Sequence, residues 1–370
     1  MRNYTILKIS INFINLIGQT FLRKDPFRLH RLALAPFLES EQKIDFPSML
    51  AEADKEGNND FLKFLIHNGL APLWHEALTN RIQKDKVDPV FTEKLRQVRL
   101  TAEANYLLQK KSLKKIHDTL TSAGIKYAVF KGAVTRELVY EKPALRPCTD
   151  IDVLISTNDR DTAIQALITS GMNYKHDEIN ISHECTFFDG VVQIDFHWHI
   201  MRPDRMRLEM TELLLNNSEL LDEFVGLGGP ENMFVILVHP VFAKYATAPQ
   251  SLLIRLIDLM RFINLRQFDW DRVNALLDTA GNCTAAWIMS EWLQVLTSDS
   301  PPRSLIERIQ PGKLRSKYLQ YWISNNLSSR YINHPIITQF AFTLPAQDNF
   351  SDASRFLIQL LKRNLSSKKI

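Results

Sequence analysis

Two aspartates, Asp150 and Asp152, stand two positions apart in the run Thr149-Asp150-Ile151-Asp152-Val153-Leu154-Ile155. Ile151, Val153 and Ile155 recur at every second position. The run therefore reads as a β-strand with both carboxylates on one face and the aliphatic side chains on the other. Like charges held side by side repel and are costly to desolvate. A hard divalent cation with oxygen ligands, Mg²⁺ or Mn²⁺, would offset that cost. A third carboxylate, Asp195, follows in a second alternating run from Val191 to Ile200. There Val192, Ile194, Phe196, Trp198 and Ile200 interleave with Gln193, Asp195, His197 and His199. This alternation predicts Asp195, His197 and His199 in a row on one face.

Other elements must position these groups. Tyr127-Ala128-Val129-Phe130 reads as a short buried strand that runs straight into Lys131-Gly132-Ala133 and a helix over Val134 to Tyr140. A long helix from about Ala102 to Ala123 precedes it, with Leu107, Leu113, Ile116 and Leu120 on one side and Gly124 as its stop. Glu141 to Cys148 contains Pro143 and Pro147 and is expected to be a loop. After the Asp-x-Asp strand comes a helix of about Asp161 to Ser170. Glu184 to Phe188 forms the first arm of a hairpin whose turn is Asp189-Gly190, a pair favoured in type I′ turns.

Residues up to about 100 look helical, with Phe61 to His67 ending at Asn68-Gly69. From about Glu209 the chain is expected to return to helices, among them Pro230 to His239 and Leu252 to Leu265. The sequence thus predicts an α+β, mostly helical fold. A helical N-terminal region (1–100) precedes an α/β core with a small mixed sheet (101–205), and a helical C-terminal region (206–370) follows.

Composition narrows the function classes. The 370 residues carry 45 basic and 41 acidic side chains, and a formal charge of +4 neither demands nor excludes a nucleic-acid partner. No basic and aromatic stripe is present, so a nucleic-acid-binding module without chemistry fits poorly. Three scattered cysteines argue against a zinc module or disulfide framework and for a reducing compartment. The apolar stretch from Ile6 to Ile17 is interrupted by polar residues and too short to span a membrane. A cytoplasmic location is the expectation. His67 and His75 lack a third ligand and read as structural, and Cys148 as incidental. No HExxH, Walker-type GxxxxGK or GxSxG motif occurs.

The order of parts suits nucleotidyl transfer. A small residue at a strand-to-helix junction lets backbone N–H groups approach a triphosphate, and the helix dipole favours its charge. Three convergent carboxylates can hold cations that activate an acceptor hydroxyl and stabilise departing pyrophosphate. Phe130-Lys131-Gly132-Ala133, Leu138-Val139-Tyr140, Leu145-Arg146-Pro147, Asp150 to Ile155 and Ile194-Asp195-Phe196-His197-Trp198 follow in that order. This series resembles the uncharacterised nucleotidyltransferase family of the polymerase-β-like superfamily. The similarity extends over about residues 50 to 345, through His67-Asn68-Gly69, Leu256-Ile257-Asp258-Leu259 and Asp269-Trp270.

The resemblance implies that Asp150 and Asp152 are paired metal ligands, Asp195 the third carboxylate and Gly132 the phosphate-proximal turn. It also implies an NTP substrate and a Mg²⁺ (or Mn²⁺) cofactor. Ala133 departs from the wider superfamily, where a serine commonly follows the glycine and offers a hydroxyl to phosphate. Lys131 can compensate as a point charge or can lie along the core edge. Arg146 is a second phosphate candidate, with a salt bridge to one of the site aspartates as its alternative. His197 and His199 are candidates for the acceptor side. Asp258 and His239 sit on helices that could close over the cleft or serve structure alone.

Three function classes follow. The leading one is a metal-dependent nucleotidyltransferase acting on a small molecule, peptide, protein or RNA. The second is a degenerate member of the fold that binds without catalysis. The third is a metal-dependent phosphotransferase or hydrolase using His197 and His199. Pyrophosphate release separates the first from the others.

Overall fold

The computed structural model describes residues 25–38, 48, 50–51, 58–80, 87–175, 184–201, 205–245 and 253–366. The stretch from Ile6 to Ile17 lies outside them. Seven strands form one mixed sheet: β1 (Tyr127–Phe130), β2 (Asp150–Ile155), β3 (Asn173–Lys175), β4 (Glu184–Asp189), β5 (Val192–His197), β6 (Ser218–Leu221) and β7 (Phe224–Leu227). Their spatial order is β3-β4-β5-β2-β1-β7-β6. The central strand β2 runs antiparallel to β1 and parallel to β5, and β1 is parallel to β7.

Helices cover both faces of the sheet, and strand alternation sorts side chains between two cores. Tyr127, Val129, Ile151, Val153, Ile194 and Phe196 pack on one side, against Leu113, Ile116 and Leu120 of α4 (Pro89–Ser122) and Ala163 and Leu167 of α6 (Arg160–Thr169). Ala128, Phe130 and Leu154 face the other way. They join a larger core built by the flanking helices, including α1 (Arg28–Leu34), α2 (Asn58–His67), α3 (Ala71–Thr79), α8 (Gly229–His239) and α9 (Leu253–Ile263). Asp150 and Asp152 share the face of Leu154, so they point toward the larger core and the helices from both ends of the chain. A mostly helical α+β fold is what the sequence led us to expect, and it is what forms.

Several local expectations are corrected. Helix α4 begins at Pro89, earlier than expected, because Asp88 caps it through Val90 N–H and proline suits the first helical position. Leu107 is 68% exposed while Leu113, Ile116 and Leu120 are fully buried, because six residues before Leu113 it lies about 120° round the helix from it. The β4–β5 hairpin turns at Gly190-Val191, not Asp189-Gly190: Asp189 pairs with Val192 in the ladder. Only Gly190 has positive φ, which suits a type II′ turn with glycine at its first central position. The Asp189 carboxylate instead ties β4 to α4, accepting from Lys115 and Ser112.

Where helices were expected from Glu209, a short helix α7 (Thr211–Leu215) is followed by the β6–β7 hairpin. That hairpin extends the sheet beside β1, through Val129 and Gly226. A Cβ at Gly226 would meet Leu221 Cδ1 at 2.7 Å and Val134 Cγ2 at 2.9 Å, so the close seating of β7 needs the missing side chain. The remaining helices, α10 (Trp270–Ala280) and α11 (Cys283–Thr297) among them, complete the larger core. Among the described residues no helix is long and apolar enough to cross a membrane.

Candidate active site

The parallel register of β2 and β5 pairs Asp150 with Gln193 and Asp152 with Asp195. Partners across a parallel ladder point the same way, so all three carboxylates emerge on one face of adjacent strands. Asp152 is buried; its Oδ1 lies 2.6 Å from Lys131 Nζ and 2.9 Å from His197 Nε2. Burial opposes its ionisation, but the Lys131 ammonium and His197 overcome that and hold Asp152 well below the usual carboxylate range. His197 is itself held on both sides, with Nδ1 at 3.1 Å from Glu184 Oε2 on β4, and its ring stands edge-on to Phe130.

Asp195 accepts from Thr186 at 2.8 Å and from Gln193 at 3.2 Å. Burial, with Asp150 and Asp152 nearby, pushes its carboxyl above the ordinary value, although the two hydrogen bonds act the other way. Asp150 is more open and accepts from its neighbour Thr149 at 2.9 Å.

Strand β1 passes into helix α5 (Gly132–Val139) through a single residue, Lys131, whose φ of 57° and ψ of −134° are costly for a side chain larger than glycine. The surroundings enforce the turn. Asn232 of α8, fully buried, accepts the Lys131 N–H at 2.8 Å and donates to Thr135 Oγ1 at 2.8 Å. The strain aims Lys131 Nζ at Asp152. Lys131→Gly is expected to be more stable than Lys131→Ala by about 1–2 kcal/mol. Both variants lose the ammonium, so their difference in chemical denaturation isolates the backbone term; equal stability would show that the turn is unstrained.

Gly132 is required by close approach. A Cβ there would lie 2.1 Å from Arg146 Nη1 and 2.8 Å from Cys148 Sγ. Arg146 crosses over the turn, but its guanidinium is already engaged. Nη2 and Nε reach Asp258 of α9 at 2.7 and 3.3 Å, and Nη1 donates to Pro147 O and Cys148 Sγ. Tyr140 donates to the same Asp258 at 2.7 Å. Burial works against the charge on Arg146, and Asp258 more than offsets it, holding the guanidinium well above its usual range. The salt bridge weighed for Arg146 therefore forms with Asp258 on a C-terminal helix, not with the site aspartates.

Two other expectations change. Strand β5 ends at His197, so His199 leaves the row and its Nδ1 sits 3.1 Å from Glu209, whose carboxylate also accepts Thr211 N–H at the start of α7. Ala133 is buried in the core on the opposite side of the sheet, so its side chain offers nothing to a phosphate.

A cavity of about 280 Å³ opens beside the carboxylates. Its walls come from all three stretches of chain: Asn68 and Gly69, then Lys131, Gly132, Asp150 and Asp152, then Arg255 and Asp258 of α9. Asn68, Asn232 and Arg255 were not named as site residues from sequence. Asn68-Gly69 was visible as a helix stop and as part of the family resemblance, and Arg255 directly precedes the Leu256-Ile257-Asp258-Leu259 segment of the same resemblance. Nothing in the local pattern marked Asn232.

The donor types and strand register fit a hard divalent cation, which would offset the burial and, to a smaller extent, the neighbouring carboxylates that raise Asp195. The side chains as placed do not close around one. Among the described residues no three His, Cys, Asp or Glu side chains gather as metal ligands, and Lys131 holds the Asp152 oxygen where a cation would bind.

A model of the uncharacterised nucleotidyltransferase family matches residues 54–295, well over half of the chain. The matched span holds the whole sheet and the cavity walls and ends within α11, short of the residue 345 expected from the sequence resemblance. No curated protein matches the chain. On a match of this extent, the chain belongs to the uncharacterised nucleotidyltransferase family.

Proposed function

We propose that this protein is a Mg²⁺- or Mn²⁺-dependent nucleotidyltransferase that moves an NMP from an NTP to an acceptor hydroxyl and releases pyrophosphate. The observation that carries this reading is the set of three carboxylates in register on one sheet face, beside a cavity at a strained strand-to-helix turn. In the reaction the acceptor oxygen bonds to the α-phosphorus as the bond to pyrophosphate breaks, and the hydroxyl proton passes to a site carboxylate, for which Asp195 with its raised pKa is the candidate. Asp150, Asp152 and Asp195 would hold the cation, which when bound would supply Lewis-acid stabilisation and lower the acceptor's pKa.

The chain's own residues do the rest. His197, braced by Glu184, fixes the Asp152 carboxylate. Lys131 neutralises Asp152, and its flexible four-carbon stem would let the ammonium reach a phosphate as well. Gly132 lets Arg146 and Cys148 pack directly onto the turn, and the first N–H groups of α5 have no intrahelical acceptors and face negative charge favourably.

A ligand that binds only the folded chain raises its stability by mass action, about 2.7 kcal/mol at one hundred times Kd. Saturating Mg²⁺ is therefore expected to raise the melting temperature of the wild type by a few degrees and that of Asp150→Asn by far less. An equal shift in both would place the cation elsewhere.

A second reading keeps one specific support: Lys131 and His197 already satisfy Asp152 without a metal. A non-catalytic nucleotide-binding protein would need no cation. Purified protein with each of the four NTPs, Mg²⁺ and a cell extract as acceptor source tests both in a coupled pyrophosphate assay. Cation-dependent pyrophosphate release supports transfer. NTP binding that survives a chelator, with no pyrophosphate formed, supports the binding protein.

A further inference from the structure

With Arg146 engaged by Asp258 and Lys131 by Asp152, Arg255 is the arginine or lysine left among the described residues that line the cavity beside the carboxylates. It is half-buried on α9 and lines the cavity wall. Among the described residues no carboxylate lies within ion-pair distance of it, and its hydrogen-bonding contact is His239 Nδ1 at 3.5 Å, at the long limit for such a bond. Burial and nearby Arg146 both act against its charge, and Asp152, Asp258 and Asp150, within electrostatic reach, only partly compensate, so its pKa falls below the usual guanidinium value.

Arginine is always charged in proteins and presents a planar fork matched to phosphate oxygens. A desolvated guanidinium without a counter-ion is costly, and a bound anion removes that cost. The cavity offers a second unmet group. Asn68 is 1% exposed and lines the same space. Its Nδ2 donates to Phe64 O at 2.9 Å, which fixes the amide, and its Oδ1 has no partner among the described residues. Gly69, next to it, seats this loop on Ile254, the neighbour of Arg255: a Cβ there would lie 3.3 Å from Ile254 Cβ. At about 280 Å³ the space lies just below the ~300–1,000 Å³ usual for whole small-molecule sites, which suits the compact tail of a ligand.

The geometry points to this cavity as the polyphosphate subsite, with Arg255 gripping the leaving phosphates of the NTP and Asn68 Oδ1 accepting from a hydroxyl or amine of the same ligand. This rests on the nucleotidyl-transfer reading and assigns the pyrophosphate's anchor to the C-terminal helices, outside the α/β core. It also gives the Arg146–Asp258 pair a purpose: the pair docks α9 so that Arg255 faces the carboxylates.

Calorimetric titration of inorganic tripolyphosphate, with Mg²⁺ present, into the full chain tests it. Wild type is expected to bind. Arg255→Ala is expected to weaken binding roughly 10- to 100-fold, the loss expected for one charge-assisted contact. Arg255→Lys should fall between them, and Arg303→Ala, on an exposed helix, should match wild type. Arg255→Ala binding as tightly as Arg303→Ala overturns the inference.

Should Arg255→Ala fail to fold, phenylglyoxal modification of the wild type followed by mass spectrometry decides. Tripolyphosphate is expected to protect Arg255, and lack of protection overturns the subsite. If wild type releases pyrophosphate from NTP yet does not bind tripolyphosphate, the subsite fails and nucleotidyl transfer stands. If it does neither, both fail together.

Discussion

Asp150→Asn is expected to lower turnover at least about 10³-fold while leaving the fold within about 1 kcal/mol of wild type. The rate loss follows from removing one of the charges that would hold the catalytic cation, since electrostatic groups of this kind contribute several kcal/mol to the transition state. The small stability change follows from the site itself: Asp150 is only partly buried, and among the described residues its side chain accepts from the adjacent Thr149, a bond that an amide oxygen can still accept. Asp152→Asn should abolish turnover too, but not so quietly. Its carboxylate is the counter-charge for Lys131 and the partner of His197. Neutralising it leaves a half-buried ammonium uncompensated, at about 2–4 kcal/mol. Steady-state kinetics and urea denaturation of the two variants side by side check both halves. Full activity in either removes this site from consideration, and equal stability of the two would contradict the role given to Lys131.

The second large effect lies away from the reacting groups. Asp258→Ala is expected to destabilise the protein by about 3–5 kcal/mol, because it strands the buried Arg146 guanidinium and takes the acceptor from Tyr140. Its side chain is 1% exposed and accepts from two separate segments, so water cannot readily take its place. Asp258→Asn should be milder, since one amide oxygen still meets Tyr140 or Arg146. Chemical denaturation measures the loss. An Asp258→Ala variant within about 1 kcal/mol of wild type would show that the pair does not dock α9 onto the core. Any surviving Asp258→Ala protein should also bind tripolyphosphate more weakly, because Arg255 rides on the same helix.

The central strands and their carboxylates were legible because alternation at period two reports directly which face each side chain takes. Ile151, Val153, Ile194 and Phe196 marked the buried face, and Asp150, Asp152 and Asp195 were left on the other. The β6–β7 hairpin was not legible. Ser218 to Leu227 is rich in leucine and glutamate, residues equally at home in helices, and only pairing with β1 makes it extended.

His199 was misplaced because alternation was carried two residues past the end of the ladder. The charge partners were hidden for a different reason. Asp258 with Arg146, Asn232 with Lys131, and Asn68 beside Arg255 each join segments far apart in sequence, and local pattern carries no information about which helix packs on which turn. Lys131 was read as either a phosphate ligand or a core-edge side chain, whereas its geometry shows a third state, an internal counter-charge for Asp152.

That counter-charge shapes the decisive experiment. Purified protein is given Mg²⁺, a fractionated cell extract and NTP labelled at either the α- or the γ-phosphate, with the Asp150→Asn/Asp152→Asn variant beside it. Label is expected to reach an acceptor only from the α position, only with the divalent cation, and not with the variant. Transfer from the γ position, or α-label transfer that survives in the variant or in a chelator, would contradict nucleotidyl transfer at these carboxylates.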